Sequence, residues 1–162
     1  MNSQSDRRAR SQQKKSTARL FAVQALFQME ASDAALEDVQ AEFETHRFGA
    51  EVDGDVYAEG NLELFRTLTY RAVADQAKID KLTDSALVAK WPIDRIDPTL
   101  RALFRAAGAE LIGKVTPPKV AISEFVDVAK AFFPDGKEAK FVNAVLDHMA
   151  REANPEAFAP KS

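Results

Sequence analysis

Cationic side chains able to hold phosphate oxygens are gathered at one end of this chain. Residues 1–19 contain Arg7, Arg8, Arg10, Lys14, Lys15 and Arg19 against the single acid Asp6, a local balance of +5 in a protein of formal net charge −3. The remainder therefore carries −8, and between Glu30 and Glu63 eleven acids face only Arg47. A segregated basic segment attracts a polyanion, most often nucleic acid, although a solvated tail has the same composition. Lys15 and Arg19 stand four residues apart, one turn of a helix, and Gln24 and Gln28 repeat that interval. An amide is suited to the edge of an unstacked base, as a cation is to phosphate.

Other chemistry is poorly supplied. The chain has no cysteine, which removes thiolate ligands, a thiol nucleophile and disulfides. His46 and His148 have no partner at metal-ligand spacing. The six glycines stand singly, whereas a phosphate-cradling loop needs them close together. The carboxylate pairs Asp94/Asp97 and Glu124/Asp127 fall on exposed positions, and Asp97 has a helix to cap. The expectation is a binding protein, with no catalytic residue, cofactor or metal.

The elements that would position these groups are helices. Residues 1–15 lack any hydrophobic period and are expected to be a disordered arm. From Ser16 a helical face follows in Leu20, Val23, Leu26, Phe27 and Met29. A second helix is expected over 34–46, a loop over 47–56, and a long helical stretch over 57–89 with a break near 74–78. Trp91-Pro92 ends it, because the residue before a proline avoids the helical region. Asp97-Pro98 caps the next helix, which Gly113 is expected to stop. Pro117-Pro118 opens another with Ala121, Phe125, Val128, Ala129 and Phe132 on one side, and a last one runs over 137–151 with Val142, Leu146 and Met149 inward.

No segment alternates with period two. The fold class is therefore all-α, with about six or seven helices in two small bundles. The divisions are an arm (1–15), an N-terminal subdomain (16–90), a C-terminal subdomain (91–152) and a frayed tail (153–162). No run reaches the roughly 20 apolar residues that cross a bilayer, and no apolar segment follows the basic start, so a cytoplasmic address is expected.

Three segments carry a resemblance. Residues 18–27, ARLFAVQALF, are similar to the opening helix of the NusB transcription antitermination family. Ile96 to Leu111 resembles that family's central helix. The most specific segment is PPKVAISE at 117–124, leading into KFVNAVLD at 140–147. Ser123 and Ala144 depart from the family's usual Asn and Gly, and the acidic stretch around 51–55 matches nothing in it.

The resemblance implies two helical subdomains that bind single-stranded boxA RNA together with the small-subunit ribosomal protein that acts as NusE. That assembly modifies elongating RNA polymerase, notably on ribosomal RNA operons. Carried onto this chain, the RNA-facing residues are Arg10, Lys14, Lys15, Arg19, Gln24, Phe27, Lys119, Lys140, Phe141 and Asn143. Asp97, Arg101 and Arg105 are the candidates for the protein-partner face. Periodicity alone places Phe27 in the core, and Phe141 and Asn143 are equally readable as packing and bracing residues. Two alternatives stand beside this reading: a domain related to ribosomal RNA cytosine methyltransferases, or a helical adaptor that binds no RNA. A homodimer is left open.

Overall fold

The computed structural model describes residues 3–48, 51–52, 55–56, 60–87 and 96–160. Seven α-helices occupy them: α1 (Ser3–Ser32), α2 (Leu36–His46), α3 (Leu62–Ala74), α4 (Gln76–Ala86), α5 (Pro98–Gly113), α6 (Pro118–Phe132) and α7 (Lys137–Ala153). One two-residue antiparallel pairing, β1 (Glu51–Val52) with β2 (Asp55–Val56), lies in the expected loop and leaves the class all-α. The expected hinge at 90–96, with Trp91-Pro92 and Asp94, lies outside the described residues apart from Ile96, as do Gly49 and Gly54.

Helix α5 is the centre. It packs against α1, α3, α4, α6 and α7, and from Leu100 to Leu111 every residue except Arg105 is buried. Small residues make this close approach achievable: Ala102, Ala106, Ala107, Gly108 and Ala109 let neighbouring helices come near. The buried residues of the two sequence halves form one continuous cluster through this helix. On its N-terminal side four phenylalanines lock α1, α2 and α3 together. Phe21 meets Phe43 at 6.0 Å and Phe48 at 5.2 Å edge-on, and Phe65 stacks on Phe43 at 5.5 Å.

Local chemistry explains several helix ends. The Asp97 carboxylate accepts from the Thr99 amide at 2.7 Å, with Pro98 at the first helical position. Asn61 caps α3 by accepting from the Leu64 amide at 2.8 Å. The break expected near 74–78 falls at Asp75, which ends α3 and begins α4. Gly136, at φ 79°, makes the turn before α7, a conformation that glycine adopts without strain.

Three expectations need correction. Residues 3–15 are not an irregular arm but the first half of α1. They contain no glycine or proline and are rich in Arg, Lys and Gln, all good helix formers. Their lack of hydrophobic period reflects only that little packs on them. Gly113 does not supply the left-handed stop of α5: Lys114, at φ 57°, does. The tail does not simply fray, because Pro155–Phe158 form a 3-10 turn on α7, with the Arg151 guanidinium 4.6 Å over the Phe158 ring.

Candidate nucleic-acid interface

Helix α1 presents different chemistry on its two flanks. Along one flank, Gln13, Thr17 and Leu20 border a groove whose other wall is Glu124, Asp127, Val128 and Ala131 of α6. Farther along, Gln24, Phe27 and Gln28 border a cavity of about 450 Å³ that Phe132 of α6 closes. Residue 16 thus lies by residue 124, and residues 24–28 by residue 132, so α1 and α6 run side by side in the same direction. Arg10 sits one turn before Gln13 on the same stripe and is exposed.

The cavity has the parts of a base pocket. Phe27 is 40% exposed although it lies beside the core, so one ring face is offered outward. The Gln24 side-chain oxygen is buried and has no hydrogen-bond partner among the described residues. A buried acceptor without a donor costs about 1–3 kcal/mol, so turning this amide toward the cavity to meet a ligand N–H would be favourable. Arg47 borders the same cavity, with its guanidinium 5.3 Å from the Phe43 ring centre. Gln28 donates to Glu42 at 2.8 Å, which fixes the wall formed by α2.

The signature segment lies on the far side of α6. Lys119 and Asn143 come together in an outer α6–α7 groove, with Lys130 and Asp127. Asp127 borders this groove and the α1–α6 groove, so the two are neighbours. Lys140 is exposed one turn before Asn143. Phe141 is 37% exposed, and its inner edge meets the Phe104 ring at 6.0 Å. It is therefore both an anchor on α5 and a partly offered ring.

Other candidates are used differently. Arg19 is 3% exposed and cannot touch a bound phosphate. Its Nε and Nη2 donate to the two oxygens of Glu110, each at 2.8 Å, and Nη1 lies 3.6 Å from Glu124. Burial works against the charged guanidinium, but the Glu110 and Glu124 carboxylates outweigh it and hold the group above its ordinary range. Thr116 completes the cluster by donating to Glu110 at 2.6 Å, and Ser16 donates to Glu124 at 3.0 Å. The cluster ties α1 to α5 and α6.

Arg101 and Arg105 likewise do not form an open partner face. Arg101 is buried, paired with Glu30 and donating to the Ile96 carbonyl at 3.2 Å. Arg105 forks onto Asp80 at 3.0 and 2.9 Å. Their partners lie 71 and 25 residues away, out of reach of any local reading of the sequence. Asp97 is exposed but engaged as a cap. Lys14 accepts the Asn61 amide through its carbonyl at 2.9 Å, and Lys15 is exposed.

The sequence reading missed Arg47 and Phe132 as cavity residues. Arg47 had a signal, as the lone cation of an acidic stretch, whereas Phe132 fitted the core stripe too well to stand out. Among the described residues no group of His, Cys, Asp or Glu is arranged to hold a metal, and no helix is long and apolar enough to cross a membrane.

Comparison with known proteins agrees with this architecture. The model of the NusB family matches residues 16–151. A transcription antitermination protein NusB from Nitrobacter hamburgensis is 48% identical over 147 residues, 90% of this chain and 91% of that one. One from Sinorhizobium fredii is 43% identical over 96% of this chain and 97% of the relative. Among solved structures, Thermotoga maritima NusB superposes with a TM-score of 0.69 at 31% identity, covering 88% of this chain and 95% of that one. A chain from a crystal of antitermination factors NusB and NusE with double-stranded RNA gives 0.69 at 26% identity, over 85% and 96%.

Proposed function

The chain belongs to the NusB family, and from that membership we propose that it binds single-stranded boxA RNA along the α1–α6–α7 face, together with the small-subunit ribosomal protein that acts as NusE. In this reading the complex joins elongating RNA polymerase and carries it past terminators, notably in ribosomal RNA operons. The protein holds RNA without transforming it.

The observation that carries the proposal is the unpartnered Gln24 oxygen in the cavity beside Phe27. An unpaired base has an N–H edge to donate and a flat face to stack, whereas a paired base has its Watson–Crick edge occupied. Phe27 takes the face and Gln24 the edge. Arg10, Lys14, Lys15 and Lys140 take phosphates, while Phe141, Asn143 and Lys119 extend the track across α6 and α7. Arg19 supports this surface from inside by fixing α1 to α5 and α6. The exposed Asp97 end of α5 is the proposed partner contact, with Arg101 and Arg105 holding that helix in place.

Binding of a boxA-like RNA is compared with that of a scrambled RNA of equal length, by fluorescence anisotropy with the ribosomal partner present. Tighter binding of the boxA-like strand is expected, and equal binding overturns the proposal. A structural relative was crystallised with double-stranded RNA, so the annealed duplex is the second arm and should bind more weakly than the single strand. Gln24→Leu keeps the cavity's shape and removes the acceptor. It should erode the boxA preference while stability holds or rises by about 1 kcal/mol.

A further inference from the structure

The opposite flank of α1 borders a groove of which the foregoing reading uses only Lys15. It is a cleft of about 410 Å³ between α1, α3 and the end of α5, with Lys15 on one wall and Arg71 on the other. Its floor is the Arg19–Glu110 pair, whose charges cancel. Glu63 is the remaining acid, so the lining carries three cations against two carboxylates.

Arg71 is the unusual member. It is half-buried, and a methyl group placed on Gly113 would overlap its guanidinium. The glycine is thus what lets the guanidinium lie against the last turn of α5, which explains a glycine there although Lys114 makes the left-handed stop. The negative end of α5 attracts a cation, and a hydrogen bond to the last carbonyls would satisfy that attraction. The Arg71 side chain makes no hydrogen bond or ion pair among the described residues. It is a fork of donors with no acceptor among the described residues, and a guanidinium fork suits a phosphate.

The groove continues. Gly113 borders it, and the next residue, Lys114, borders a second cleft with Lys78 and Lys81. That cleft holds three lysines against Glu152, which already accepts from Ser85 at 2.6 Å and lies 3.6 Å from His148. In a protein of net charge −3, two adjoining grooves of positive excess are a local arrangement and not a bulk property.

We propose that the α1–α3–α5 groove is a second phosphate site, centred on Arg71, that takes backbone phosphates of RNA extending beyond the α1–α6 face, with Lys114, Lys78 and Lys81 continuing the path. This rests on the RNA-binding reading above, but it concerns phosphates and not bases.

The test uses the full chain with two RNAs, a short boxA-like strand and the same strand extended by unstructured nucleotides. Each affinity is measured across a range of salt. Arg71→Gln should lower the log–log salt slope for the extended RNA by about 0.7 for one lost contact and leave the short RNA's slope unchanged. Gly113→Ala displaces the guanidinium without removing its charge and should act in the same direction. Lys78→Gln, Lys81→Gln and Lys114→Gln together should lower the slope further. None of these should change the ratio of boxA-like to scrambled binding.

An unchanged slope for Arg71→Gln on the extended RNA overturns the proposal. So does loss of inorganic phosphate binding, read by NMR titration, with the RNA slope intact, because the site would then serve free phosphate. Loss of boxA preference in the unaltered protein with the Arg71 effect preserved would sink the base-reading function and leave this site standing.

Discussion

The two halves of α1 contain the same kind of residue in opposite circumstances. Arg10 and Arg19 are nine positions apart on one unbroken helix. Arg10 stands in solvent, whereas Arg19 is 3% exposed and clasped by a carboxylate 91 residues along the chain. The first half is basic and largely exposed. The clamped half carries Ala18, Phe21, Ala22, Val23, Ala25 and Leu26 into the core. What an arginine does here is decided by what folds over it, not by its neighbours in sequence. A single basic cluster is thereby divided into solvent-facing charge and architectural charge.

Replacing Arg19 breaks this comparison most severely. Arg19→Ala leaves Glu110 buried without its partner and should cost about 3–5 kcal/mol, read by chemical denaturation. Converting Glu110→Gln in the same molecule should return part of that loss. The Arg19 guanidinium is held above its ordinary range, so its contribution is fully present below the unfolded-state value and is lost only as pH rises through the folded value. From this group the stability curve should be flat across neutral pH and fall only in strong alkali.

Phe27 sharpens the contrast, being an exposed residue in the clamped half. Phe27→Ala should reduce boxA affinity by about 1–3 kcal/mol, the worth of one stacked base, with little change in denaturation midpoint. Arg10→Ala is smaller. The RNA salt slope should fall by about 0.7 while stability stays within about 0.5 kcal/mol. Smallest for the whole fold is Ala9→Pro. It should abolish amide protection across residues 3–13 in hydrogen exchange and leave the thermal midpoint where it was, because the exposed half opens independently of the core.

Legibility from the sequence followed the range of the forces involved. Asp97-Pro98, Gly136 and the α3–α4 break are set by a few adjacent residues, and all were readable in advance. The stripes of α6 and α7 were readable for the same reason. The first half of α1 was misread because its helix has no buried face to leave a period. Arg101 and Arg105 looked like surface because Glu30 and Asp80 are distant in sequence. Arg71 left no sequence signal. Its placement depends on a missing side chain 42 positions away, at Gly113, and only the fold brings the two together. Gln24 and Phe27 were singled out by type and resemblance, and they do share a cavity, but the unsatisfied amide oxygen could not have been foreseen.

An uninterrupted rod of 30 residues is about 45 Å long. Half of it is gripped by Phe21, Arg19 and the helices around them, and the other half is largely exposed. Such a body behaves as a cantilever. A transcript pulled by a moving polymerase and held near Arg7 and Arg10 would load its tip, and with no glycine or proline to absorb a bend, the torque would be delivered at the Arg19–Glu110 clasp. Tension in the transcript would then reach the interior through the contacts that hold the clamped half, from Lys14 and Ser16 to the Arg19–Glu110 pair.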